Sequence, residues 1–223
     1  MPAPATPIHR APIASGDPPP RRPRGRPHKT PVERDDGNRR QQLLKAAARL
    51  FRRHGFGATS TRDIAAAVGM HSGSPFYHFK SKDALLFAVM QEGMQAAMNR
   101  QTMAMQKVAA GQPMEQIQLL IRTHFDTLLG PGNDFVPVML YEHRSLSNTQ
   151  RASLAKLQAA YESVWTPVLQ ALHASGHLRV PVKLARLLML GALNWSVQWF
   201  DYKQSATLEE LTEAAMALFL REC

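Results

Sequence analysis

Residues 60–82 read STRDIAAAVGMHSGSPFYHFKSK. Two short helices fit this stretch, at about 61–68 and 73–79, joined by a tight turn at Gly69-Met70-His71. Ser60 can cap the first, Asp63 three residues later completes a capping box, and Gly69 ends it. If Ser72 caps the second, Pro75 falls in the first turn, where its missing N–H has no helical partner. Two helices joined this way make a helix-turn-helix, whose second helix lies in the major groove while the first braces on the backbone. Ile64, Ala65 and Val68 then point inward. Tyr77 and His78 occupy an exposed face flanked by Phe76 and Phe79, and Lys80 and Lys82 stand ready for phosphates. The amides of Thr61 and Arg62 lie at a helix start, which suits an anion.

Upstream, RRQQLLKAAARLFRRHG at 39–55 is a third helix. Leu43, Leu44, Ala47, Leu50 and Phe51 share one face at helical spacing, and Gly55 closes it. Residues 1–37 contain 10 of the 16 prolines and few large apolar residues, so they are expected to be a disordered arm. Inside the arm, RRPRGRPHK at 21–29 holds Arg24-Gly25-Arg26-Pro27, the core pattern of an AT-hook. Arg24 and Arg26 suit the enhanced negative potential of a narrow minor groove, so the arm is read as an accessory that adds affinity.

The net charge of +10 favours an anionic partner, and its distribution is uneven. Residues 1–82 hold 16 Lys+Arg against 5 Asp+Glu, whereas residues 83–223 hold 11 against 12. The basic function therefore belongs to the N-terminal third. Cys223 is the single cysteine, which excludes an internal disulfide framework and fits a reducing cytoplasm. The N-terminus lacks the apolar segment of a secretory signal. The longest apolar run, LLMLGALNW at 187–195, is far short of the ~20 residues a membrane helix needs. A cytoplasmic, nucleoid-associated protein with no membrane partner is expected.

Downstream of Ser81 the helical pattern continues, with helices predicted after Ser81 and at about 113–129, 136–144, 149–175, 182–200 and 207–221. Thr207 and Glu210 form another capping box. No segment alternates with a period of two, so the fold class is all-α. The expected divisions are an arm at 1–37, a helix-turn-helix domain at 38–82 and a larger helical domain at 83–223.

From Arg40 to Leu86 the sequence resembles the TetR family of bacterial transcriptional regulators. The resemblance rests on LFRRHGFGATS, TRDIAAAVGM and SGSPFYHFKSKDALL at the family's spacing. It implies that Thr61 and Arg62 contact phosphate or base edges, that Ser72, Gly73, Ser74, Phe76 and Tyr77 face the groove, and that His78 and Lys82 clamp the backbone. Family members often carry Thr, Ala or Leu where this chain has Ser74-Pro75, which bears only on how the recognition helix begins. The resemblance further implies a C-terminal domain that holds a small-molecule effector and a dimer interface.

Local physics agrees with that division. LARLLMLGALNWSVQWF at 184–200 is apolar nearly all round, so it needs burial on more than one side. Leu187, Gly191 and Trp195 there, with Leu211, Ala215 and Leu218 on the last helix, form the expected interface of a two-fold homodimer. For the effector, a methionine series with Met94 and Met98 supplies adaptable apolar wall. His124, Tyr141, His143, Arg144, Asn194 and Trp195 are polar or amphipathic residues on helices able to line a cavity. The expected effector set is Met94, Met98, Phe125, Tyr141, Arg144, Trp165, Asn194 and Trp195. The tail of the sequence looks like the branch of the family that responds to fatty acyl-CoA.

The expected function is a DNA-binding repressor released by a small hydrophobic molecule, with double-stranded operator DNA and a second copy of the chain as partners. The competing reading is an architectural AT-hook protein without an effector. No phosphate-binding glycine loop, nucleophile elbow or metal-ligand cluster is present in the sequence, so neither an enzyme nor a cofactor is expected. His173 and His177 are four apart, but Gly176 interrupts their helix, so no metal site is assigned to them.

Overall fold

The computed structural model describes residues 31–70, 75–201 and 206–221, and every regular element among them is helical. The helices are α1 (Pro31–Ala58), α2 (Thr61–Ala67), α3 (Pro75–His78), α4 (Lys82–Met105), α5 (Pro113–Leu129), α6 (Phe135–Glu142), α7 (Asn148–Ser163), α8 (Trp165–Ala174), α9 (Val182–Trp195) and α10 (Leu208–Phe219). Short 3-10 turns follow α6 at His143–Ser145 and α9 at Ser196–Gln198. Arg24 and Arg26 of the arm, and Ser72, Gly73 and Ser74 before α3, lie outside the described residues.

Local signals placed several ends correctly. Asp63 N donates to Ser60 Oγ at 3.1 Å and Ser60 N donates back to Asp63 Oδ2 at 2.8 Å, the reciprocal pair of a capping box. Thr207 and Glu210 do the same for α10 at 3.2 and 2.7 Å. Gly55 breaks α1 with φ 78 and ψ 161, a conformation a side chain would resist.

Two expectations need correcting. Helix α1 starts at Pro31 rather than near Asn38. Proline at a first helical position has its φ preset for the helix. The single helix predicted over 149–175 is two helices that part at Val164. Pro167 is the reason, because it offers no N–H and its ring crowds the carbonyl of Ser163 four residues back.

Two apolar clusters form the core. The first joins Leu43, Leu44, Phe51, Ile64 and Phe79 of the N-terminal helices to Leu86, Met90 and Met94 of α4, Val138 of α6 and Leu154 of α7. The second packs α5, α8, α9 and α10 around Ile121, Trp165, Leu169, Met189 and Leu193. Helix α4 therefore runs from the head into the larger domain. At Gly93 it meets α6 so closely that a Cβ would sit 2.8 Å from the Cβ of Phe135. Among the described residues no helix is long and apolar enough to cross a membrane.

Candidate nucleic-acid interface and ligand cavity

In the head, α2 presses Ile64 and Ala65 into the first cluster, and both are fully buried. Phe79 is buried as well, with the Arg40 guanidinium 5.2 Å from its ring centre. Tyr77 is 80% exposed, and its ring meets that of His78 edge-on at 5.2 Å. Arg62 is exposed, while Thr61 and His78 are half-buried. A large aromatic with no core to fill, at the surface of a short helix beside His78, suits contact with base edges and sugars. Replacing Tyr77 with Ala is expected to weaken specific operator binding about tenfold and random-DNA binding less than about twofold, measured by fluorescence anisotropy.

At the start of α2 the Asp63 carboxylate accepts from the N–H and the hydroxyl of Ser60 (2.8 and 2.7 Å). Those bonds hold its pKa below the ordinary value. Lys82, expected on phosphate, turns inward. Its Nζ donates to the carbonyls of Phe56 and Thr59 at 2.8 and 2.9 Å and lies 4.2 Å from the Phe56 ring centre. An ammonium has three N–H donors, so at most one remains for DNA. Its main task is to close the end of α1 against the start of α4. Lys82→Met is expected to cost about 1–3 kcal/mol in a urea melt, because two half-buried carbonyls lose a charged donor. The slope of log Kd for random DNA against log salt should stay near the wild-type value.

A cavity of about 380 Å³ opens in the larger domain between α4, α5, α6, α7 and α9. It sits on the seam between the two clusters: Met94 and Leu154 belong to the first, Leu128 and Leu190 to the second. Its wall is mostly apolar, with a polar cluster of His124, Tyr161 and Asn194 set into it. His124 is buried, with Nδ1 2.8 Å from the Tyr161 hydroxyl and Nε2 3.1 Å from Asn194 Oδ1. Its ring also meets Trp165 edge-on at 5.8 Å. Burial drives the His124 pKa down to about 4, a trend the Asn194 bond opposes, so the imidazole is neutral near pH 7. Burial likewise pushes the Tyr161 phenol well up. Beneath them lies Gln101, also buried. With its amide turned to suit both neighbours, it accepts from Trp165 Nε1 at 2.9 Å and donates to the Tyr161 carbonyl at 3.2 Å.

Of the eight residues expected at the effector site, Met94 and Asn194 line this cavity. Phe125 and Trp165 are buried in the second cluster, and Met98 packs on the first. Tyr141 and Arg144 are exposed away from the lining, and Trp195 faces out, 64% exposed. Neighbouring helical positions differ by about 100° in direction, so Asn194 and Trp195 cannot serve one wall. His124 and His143, named in sequence as able to line a cavity, do so. Tyr161 and Arg151 were missed, and nothing local in QAAYESVW marks the tyrosine as facing a histidine 37 residues earlier. No group of three His, Cys, Asp or Glu able to hold a metal occurs among the described residues.

On the outer side, α9 presents Leu184, Leu187, Leu188 and Trp195 to solvent, with Trp199 just beyond and Leu218 of α10 82% exposed. Gly191 lies on the same face, open to its surroundings. Of the expected interface residues Leu187, Gly191, Trp195 and Leu218 are exposed, and Leu211 is half-buried. Ala215 is 6% exposed and packs into the second cluster, so it faces its own core rather than a partner.

A helix-turn-helix head joined by one continuous helix to a helical domain with an internal cavity is the architecture of a DNA-binding regulator. Residues 43–89 match the model of the bacterial regulatory proteins of the tetR family, and residues 110–223 match that of the tetracyclin-repressor-like C-terminal domain. The chain belongs to the TetR family of helix-turn-helix transcription regulators. The HTH-type transcriptional repressor KstR2 of Rhodococcus jostii (strain RHA1) is 27% identical over 199 residues, which cover 86% of this chain and 96% of that one. Among solved structures, AibR in complex with isovaleryl coenzyme A and operator DNA superposes with a TM-score of 0.75 at 25% identity, over 81% of this chain and 97% of that one. The superantigen PfiT gives a TM-score of 0.69 at 38% identity, over 82% of this chain and 97% of its own.

Proposed function

We propose that the protein is a cytoplasmic repressor that binds a near-palindromic operator as a homodimer and leaves it when a small hydrophobic effector of acyl-CoA type enters the cavity. The observation that carries this reading is a physical link between cavity and head. Helix α6 lines the cavity with Val136, Met139 and Leu140. At its end, Glu142 Oε1 accepts from Phe56 N at 2.8 Å. Phe56 is the residue whose carbonyl Lys82 holds at the start of α4. At the other end of α6, Asp134 pairs with Arg52 of α1 at 3.0 Å. A ligand that displaces α6 therefore acts on both α1 and the α4 junction, and shifts the heads relative to each other.

The apolar wall favours an acyl chain, and the volume limits what enters. Small-ligand sites run from about 300 to 1,000 Å³, so this cavity accepts an acyl portion while a bulky nucleotide stays outside. AibR, bound to isovaleryl coenzyme A, offers a parallel for that class of effector. The exposed apolar strip on α9 and α10 is the expected dimer face, since a contiguous patch of this kind marks an interaction site. An architectural protein driven by its arm would have no use for the cavity or for its connection to the head.

The test is a gel shift on DNA from beside the protein's own gene, with and without octanoyl-CoA. Selective binding that the ligand weakens is expected. Equal affinity for random DNA would remove the repressor reading. Breaking the link gives a second check. Glu142→Ala should leave the ligand's Kd within about twofold, while the ligand-induced loss of operator affinity falls from about tenfold or more to less than about threefold. Retention of the full ligand effect in Glu142→Ala would show that the signal travels elsewhere.

A further inference from the structure

Resting on the reading of the cavity as the effector site, we infer that Asn194 donates a hydrogen bond to a neutral carbonyl of the ligand, so that the cavity selects thioesters and ketones over free carboxylates. The inference follows from the direction of the hydrogen bonds around His124. Asn194 Oδ1 only accepts, so the imidazole nitrogen 3.1 Å from it, Nε2, carries the hydrogen. A neutral imidazole has one N–H. Nδ1 is therefore an acceptor and takes the Tyr161 hydroxyl hydrogen across 2.8 Å. The Tyr161 and His124 hydrogens are thus both spent within the protein.

With the Asn194 oxygen on His124, its NH₂ faces away. Asn194 lines the cavity, and no side-chain hydrogen bond among the described residues engages that NH₂. Nearby Thr127 spends its hydroxyl hydrogen on the Thr123 carbonyl at 2.8 Å. The donor left over at the polar part of the wall is uncharged.

Two charged side chains of the lining, Glu162 and Arg151, are bonded within the protein. Glu162 lies 3.8 Å from Arg186 and accepts from Gln158 at 2.8 Å. Arg151 is exposed and donates to the Leu146 carbonyl at 2.6 Å and to Asn148. A carboxylate beside Asn194 would give up its hydration for one neutral donor in an apolar wall. A thioester or ketone oxygen, weakly hydrated to begin with, loses far less and gains the same bond. The relay also biases the amide: reversing it would require the imidazole hydrogen to move to Nδ1 and the Tyr161 hydroxyl to become the acceptor.

The test uses the full chain and two matched pairs in isothermal titration. Octanoyl-CoA and S-octyl-CoA differ by the carbonyl oxygen alone. 2-Nonanone and octanoate share a heptyl chain and differ in the charge on the carbonyl group. The neutral carbonyl member of each pair is expected to bind at least about tenfold tighter. In Asn194→Leu the first ratio should fall to within about twofold, with S-octyl-CoA affinity kept. Tyr161→Phe provides an independent variant. It frees Nδ1 to take the hydrogen, lets the Asn194 amide reverse, and should bring the ratio below about fivefold. Equal binding within either pair of the wild-type protein, or a preference for octanoate, would overturn the carbonyl inference and leave the effector site standing. Absence of binding by all four compounds would overturn the inference together with the acyl-effector reading.

Discussion

Placing Asp at Leu187 and Leu218 together is expected to convert the protein to a monomer and weaken operator binding more than about 100-fold. Both side chains are exposed, on the face of α9 and α10 that also carries Leu184, Leu188 and Trp195. In a two-fold interface each substitution appears twice, so four carboxylates would have to be buried against apolar surface with no partner cation. A monomer retains one reading head. Losing the second head removes the effective-concentration gain of linked binding, a factor of about 10² to 10⁴. Sedimentation velocity reads the mass and anisotropy reads the affinity. A double variant that remains dimeric, or a monomer that binds the operator at wild-type strength, would show that this strip has another use.

The second large effect is on stability in acid. Burial holds His124 neutral with a pKa of about 4, while an unfolded chain returns it to the ordinary value of 6.5. The folded pKa is the depressed one, so between those two values the unfolded state binds the extra proton. His124 therefore takes nothing from stability above about pH 6.5, and a cost grows as pH falls toward 4. It reaches about 2 kcal/mol at pH 5 and about 3 kcal/mol near pH 4. The groups around the ring are Tyr161, Asn194 and Trp165, with no carboxylate bonded to it to offset the charge. Urea melts of wild-type and His124→Gln at pH 7.5 and pH 5 isolate the contribution. The variant should lose about 2 kcal/mol less than wild-type over that interval. Parallel losses in the two proteins would mean that the ring is not held neutral.

The features legible in the sequence are those written into a few adjacent residues. Ser60 with Asp63 and Thr207 with Glu210 declare helix starts through their own bonds, and Gly55 declares an end. Ile64 and Ala65 follow from helical spacing and are buried as expected. Residues whose role depends on a distant partner were harder to read. Lys82 looks like a phosphate contact because it stands beside Lys80 at a helix start. Its true acceptors, the carbonyls of Phe56 and Thr59, are 26 and 23 residues away. The cavity follows the same rule. Its polar wall joins His124 of α5, Tyr161 of α7 and Asn194 of α9, and only the packing of two clusters side by side brings them together. On α9, spacing marked Asn194 and Trp195 alike, but whether each points to the seam or to the outer face depends on how that helix is turned against its neighbours.

The most direct test of a ligand-released, sequence-specific repressor is a competition measurement on the intact protein. Labelled DNA from beside its own gene is bound, then challenged with excess random duplex, with and without octanoyl-CoA. The complex should survive the random duplex and dissociate when the ligand is added. A complex that random DNA removes as readily as unlabelled operator does, whatever the ligand, would contradict it.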